Sequence, residues 1–146
     1  MKKIGRLIRV AVVIVVTLGY AVSSAGDQGV HHKIMVGSAR EIIRAMRSAV
    51  PGDTLVMRDQ IWEDQQIRFE GEGTAVAPIV LKAETPGNVV LSGRSSLEIA
   101  GAYLVVDGLV FKNGGSDGDV ISFKIAGKHA EHCRITNTVI RDYNIP

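Results

Sequence analysis

Few residues between Gly26 and Pro146 have the type and spacing for chemistry. His31-His32 invites a metal reading and Cys133 a thiol nucleophile, while Glu70, Glu72 and Glu84, with Lys82, Lys112, Lys124, Arg134 and Arg141, offer acids and bases for proton transfer or cation binding. Each has a plainer explanation. Adjacent histidines in an extended segment point to opposite sides, and no second His, Cys, Asp or Glu cluster stands at ligand spacing, so the pair reads as solvated or merely structural. Cys133, the single cysteine, can form no intrachain disulfide and reads as a small packing residue at the start of an apolar run. Arg40, Arg44 and Arg47 could be a binding patch, but they also make the polar face of one amphipathic helix. The acids and remaining bases share no motif and read as outward-facing, solvated side chains. No catalytic, cofactor-binding or metal-binding residue is assigned from the sequence.

The elements that would have to position such residues are more legible. SAREIIRAMRSAV predicts a helix over Ser38–Val50, with Ser38 as N-cap, Glu41 completing a capping box, and Ile42, Ile43, Met46, Ala49 and Val50 on the apolar face. Pro51-Gly52 ends it. Beyond that point short runs alternate with turn residues: Leu55–Met57, Ile67–Phe69, Ile79–Ala83, Val89–Leu91, Leu97–Ile99 and Val120–Phe123. Two longer stretches, YLVVDGLVFKN at 103–113 and RITNTVIRDYN at 134–144, match at an offset of 30, which sets Val105 on Ile135, Asp107 on Asn137, Leu109 on Val139 and Val110 on Ile140. Val80 to Val105 is 25 residues and Leu97 to Val120 is 23. A period of this size is that of one solenoid coil, and two-residue Asn-Gly or Asp-Gly loops between equal runs are largely missing. The expected fold is all-β: a right-handed, single-stranded parallel β-helix with the helix capping its first coil and Val105, Leu109, Ile135 and Val139 inside. Asp107 and Asn137 would stack at equivalent bends.

The start of the chain carries a different pattern. Lys2, Lys3, Arg6 and Arg9 precede an apolar stretch from Val10 to Val22, and Ser23 and Ala25 stand at the minus-three and minus-one positions of a cleavage after Ala25. Residues 1–25 are therefore expected to be a signal peptide, and the product secreted or periplasmic with no membrane attachment once it is removed. With four of the 17 bases in that leader, 26–146 holds 13 bases against 15 acids, a net charge of −2. That balance, with aromatics at 5%, argues against a nucleic-acid partner.

The segment AVPGDTLVMRDQIWEDQQIRFEGEGTAVAPIVLKAETPGNVVLSGRSSLEIAGAYLVVDGLVFKNG closely resembles the N-terminal region of the alginate lyase and chondroitinase B family, polysaccharide lyase family 6 of the pectin-lyase-like β-helices. The likeness extends over nearly all of Ser38–Asn144, and its most particular parts are PIVLKAETPGNVVLSG and YLVVDGLVFKNG. Where such proteins often carry Gly-Thr-Tyr after the first strand, this chain has Gln60-Ile61-Trp62, a departure expected to touch a turn and not chemistry. The resemblance implies cleavage of an acidic 1,4-linked uronate polysaccharide by β-elimination, alginate first and chondroitin or dermatan sulfate second. It also implies, in the full-length enzyme, a calcium ion held by an Asn and two Glu, a Lys base and an assisting Arg, all on later coils. On that expectation 26–146 is the cap and first coils of a truncated β-helix, inactive alone, binding no calcium itself and partnered by the C-terminal coils of the same protein. The alternative is a non-catalytic β-helix that binds polysaccharide or serves as a surface structural protein.

Overall fold

In the computed structural model, which describes residues 31–143, three parallel sheets wrap one core. The first sheet takes β1 (Lys33–Val36), β2 (Thr54–Met57), β5 (Ile79–Ala83), β8 (Leu104–Asp107) and β13 (Arg134–Thr136), in that order. The second takes β3 (Gln60–Glu63), β6 (Val89–Gly93), β9 (Leu109–Gly114) and β14 (Val139–Tyr143). In the third, β7 (Ser96–Ala102) lies between β4 (Gln66–Glu72) on one side and β10 (Ile121–Ser122) with β12 (Lys128–Glu131) on the other. The chain visits the sheets in rotation and makes a parallel β-solenoid of about three turns with one short N-terminal helix, as the sequence led us to expect.

Alternation explains why these runs settle into coils. In β5 the side chains of Ile79, Leu81 and Ala83 are buried while Val80 and Lys82 are not, and β6 repeats the pattern with Val89 and Leu91. Strands of period two give each sheet one apolar face, and three such faces closed on one another bury Leu55, Trp62, Phe69, Leu97, Val106 and Phe111 almost completely. Corners are sharp because single residues adopt left-handed backbone: Gly108 (φ 81°) and Asn137 (φ 49°) between the first and second sheets, and Tyr103 (φ 52°) and His132 (φ 53°) between the third and first.

Helix α1 (Ala39–Met46) stands before the first complete coil and lies against β4 and β1. Ser38 caps it, its hydroxyl accepting the Glu41 N–H at 3.3 Å, while the Glu41 carboxylate accepts the Gly37 N–H at 2.7 Å. Gln65 fixes the helix start to the β3–β4 corner by accepting the Ala39 N–H at 3.0 Å. The buried face is Ala39 and Ile42, flanked by half-buried Ala45 and Met46. It closes the open end of the core, as expected of a cap.

Four expectations need correction. The helix ends at Met46 rather than Val50: Pro51 disfavours helical backbone at Val50, and the Val50 N–H turns instead to the Asp53 carboxylate at 2.9 Å; of the expected apolar face, Ile43 and Val50 are exposed. Between the last two coils the register is 29 rather than 30: Val105 opposes Arg134, Val106 opposes Ile135 and Val110 opposes Val139. A slip of one residue exchanges faces, so Leu109 and Ile135 point inward as expected but Val105 and Val139 point out, and Val106 and Ile140 take their places. A slip of one residue in the opposite sense appears at Leu97, which opposes Ile121 and not Val120, whereas Val80 does oppose Val105. Finally, Gln60-Ile61-Trp62 is strand and not turn, with Trp62 in the core and its indole N–H on the Arg58 carbonyl at 3.2 Å. The proposed leader, 1–25, lies outside the described residues.

Candidate functional site

A groove lies where α1 meets the outward-facing side chains of the third sheet. Since Ile67 and Phe69 point inward, Arg68, Glu70 and Glu72 project from the other side of β4. With Ile43, Met46 and Arg47 of α1, with Gly71 and with Lys128, Arg68 and Glu70 line a groove of about 370 Å³. Gly71 keeps it open and close-fitting at once, because a Cβ there would stand 2.5 Å from Met46 Cε.

Lys128 reaches this groove by a device the sequence did not announce. After β10 the chain leaves the sheet as a hairpin, β11 (Lys124–Ile125) against β12, turned by Ala126 (φ 47°) and Gly127 (φ 90°). Ile125 is buried beneath the hairpin, and Ala100, on the outward face of β7, is fully covered. Lys128 thus crosses the second coil and sets its Nζ 2.9 Å from Glu72 and 3.6 Å from Glu70 on the first. The hydrogen bond to Glu72, with the charges of Glu72 and Glu70, raises the ammonium's pKa against the opposing effect of desolvation. Arg68 pairs with Glu98 at 3.3 Å. Arg40, Arg44 and Arg47 have no ion-pair partner among the described residues.

The residues considered from sequence do not converge. Lys82 and Arg134 lie on the first sheet, Lys112 and Arg141 face each other across the second, and Lys124 sits in the hairpin. Glu84 accepts the Asp59 N–H at 3.2 Å. Of the acids weighed, Glu70 and Glu72 meet at a shared partner, Lys128, which the sequence pattern does not single out. Its one signal is the Ala126-Gly127 pair between the runs Lys124-Ile125 and Lys128–Glu131. The cysteine is a packing residue: Cys133 sits against the core with its Sγ 3.3 Å from the Glu131 carbonyl, and burial raises the thiol's pKa, opposite to what a nucleophile needs.

The His31 ring lies against Gly52. His32 turns to the buried Asp53, whose Oδ1 accepts the His32 N–H at 2.8 Å and lies 3.1 Å from Nδ1. Burial alone would raise the Asp53 pKa. The N–H donors of His32 and Val50, with the His32 ring, outweigh it and hold the carboxyl below its usual value. No group of three or more His, Cys, Asp and Glu that could hold a metal occurs among the described residues, and Glu70 and Glu72 are engaged by Lys128.

A family described as Chondroitinase B matches residues 36–146, three quarters of the sequence. The chain belongs to the chondroitinase B family. Solved structures agree. The PL6 family alginate lyase AlyGC is 38% identical with a TM-score of 0.71, over 74% of this chain and 15% of its own. A PL6 family polysaccharide lyase from Pseudopedobacter saltans is 40% identical with a TM-score of 0.65, over 73% of this chain and 24% of its own. A mannuronic acid specific family 6 lyase from human gut microbiota is 32% identical with a TM-score of 0.67, over 76% of this chain and 26% of its own. No curated protein matches. The chain thus spans between 15% and 26% of the length of these family members.

Proposed function

We propose that these coils are the N-terminal scaffold of an exported lyase that cleaves a 1,4-linked uronate polysaccharide, alginate before chondroitin or dermatan sulfate. The observation that carries this reading is the family match over residues 36–146, joined to 38% identity with a lyase named for alginate of which the chain covers 15%. In β-elimination a base removes the proton on C5, the C4–O bond breaks, and a C4–C5 double bond forms; the enolate that develops beside the carboxylate demands positive charge or hydrogen-bond donors around it. The described residues form no such constellation, which fits a reacting centre carried by coils outside them. Calcium, in this reading, belongs to those coils. Export rests on the Lys2–Ala25 leader pattern.

The test is to express the longest reading frame that contains this chain and to follow unsaturated product by near-ultraviolet absorbance on alginate, chondroitin sulfate and dermatan sulfate, with and without a chelator. Product from alginate that falls on chelation is the expected result. Absence of product from all three polymers would overturn the enzymatic reading and favour a non-catalytic β-helix.

A further inference from the structure

We propose that helix α1 and the groove beneath it bind a stretch of acidic polysaccharide, with the carboxylates of successive sugars on Arg40, Arg44 and Arg47 and a sugar ring in the groove. This site rests on the reading that the protein handles uronate polymers. Three observations carry it. The first is charge. Arg40, Arg44 and Arg47 stand at i, i+4 and i+7, on one stripe of the helix, where like charges repel by a few tenths of a kcal/mol per pair. That repulsion is unrelieved: Glu41, the helix's acid, is turned to the Gly37 N–H, and no carboxylate pairs with the three guanidinium groups among the described residues. Elsewhere Arg68, Arg94 and Lys128 all have partners. Other bases, among them Arg58, Lys82, Lys112 and Arg141, are also unpaired among the described residues, but they are spread along the strands and their corners, whereas the cap sets three on one helical stripe of a chain whose residues 26–146 carry a net −2.

The second observation is the apolar ground between those cations. Ile43, 37% exposed, lies among the three arginines and also on the wall of the groove, where Met46 continues the apolar strip to Gly71. The C–H face of a pyranose needs such a surface, and the carboxylate on its edge needs a guanidinium, which donates to both its oxygens in a fixed fork. Thirdly, the dimensions agree. Arg40 and Arg47 are separated by about 10 Å along the helix axis, enough to meet carboxylates on more than one sugar. Arg47 and Arg68 line the groove, and Lys128, shared between Glu70 and Glu72, offsets part of their charge, so the carboxylate of a bound sugar is directed to Arg47 and away from Glu70.

Affinity electrophoresis of the full chain in gels with and without alginate tests the site, using the triple variant R40Q/R44Q/R47Q and the control Arg94→Gln, whose residue lies off the groove and pairs with Asp117. The expected result is retardation of the parent and of the control, at least tenfold weaker in the triple variant and weakened by salt, with all three melting alike by circular dichroism. Equal retardation of parent and triple variant, or none of the parent, overturns the site. So does retardation by DNA as strong as by alginate, which would mark a general polyanion surface. Failure of the lyase reading is separately visible: a longer protein that yields no unsaturated product removes the enzyme, while arginine-dependent retention of alginate by this chain would still support the site.

Discussion

Phe111 and Ile140 are register partners one coil apart on the second sheet, both facing the solenoid interior, yet Phe111 is fully buried and Ile140 is 50% exposed. Val106 and Ile135 repeat the contrast on the first sheet, buried against half-buried. Sequence hydrophobicity does not distinguish the members of these pairs. Their neighbours do: β8 and β9 are covered by a coil on either side, whereas among the described residues β13 and β14 have one on one side only. At the opposite end α1 takes the place of the missing neighbour and Ile42 disappears from solvent. In a solenoid the worth of an apolar side chain is set by the coils above and below it, and a cap counts as a coil.

The sharpest way to break this comparison is to truncate its members. Phe111→Ala should cost about 3–5 kcal/mol, and Ile140→Ala, already half in water, about 1 kcal/mol or less. Equal shifts in denaturant midpoint would mean that β14 is as well buried as β9. At the capped end Ile42→Asp should cost roughly 3 kcal/mol, since it places a carboxylate against the core without a partner, while Arg47→Asp should move stability by no more than about 0.5 kcal/mol. Similar melting of the two variants would contradict the assigned helix faces.

A smaller effect belongs to Asp53, which ties the chain before β1 to the helix exit. Replacing it by Ala leaves the His32 and Val50 N–H groups without their acceptor, at a cost of about 1–3 kcal/mol. The pH dependence has a definite sign. Because the folded-state pKa lies below the usual 3.8, the unfolded chain takes up the proton first as pH falls. The contribution of Asp53 is full above the unfolded value and is lost as pH falls through the lowered folded one. Denaturation followed from about pH 6 downward should therefore show an acid loss that Asp53→Asn reduces; an identical profile would remove the carboxylate from the account. A smaller change than at Asp53 is expected at Asn137, whose Nδ2 donates to Asp107 at 2.7 Å from a left-handed backbone: about 1 kcal/mol for Asn137→Ala and nearly none for Asn137→Gly, by thermal melting.

Most strands are legible in the sequence because alternation and turn residues coincide; Ile79–Ala83 has the bounds the sequence implies. The misreadings have physical causes. Aligning Asp107 with Asn137 by polarity brings together residues that do touch, but the bend itself is made by Gly108 and Asn137, so polarity and backbone handedness differ by one position and the faces invert. Lys33–Val36 becomes a strand because β2 lies beside it, and Gln60–Glu63 buries one large residue, Trp62, too little to register as a period. At the candidate site the arginine face is visible as helical spacing. The groove is not, because Lys128 arrives from a hairpin that crosses a coil, a contact no local pattern encodes.

The 29-residue parallel register fixes every face assignment between the last two coils, and scalar couplings across backbone hydrogen bonds measure it directly. In isotope-labelled protein the Tyr103 amide nitrogen should couple to the Glu131 carbonyl carbon and the Gly108 nitrogen to that of Thr136, the acceptors at 3.0 and 3.2 Å. Couplings displaced by one residue, to His132 and Asn137, would restore the stack offset of 30 that the sequence alone suggests, return Val105 and Val139 to the interior, and contradict the account.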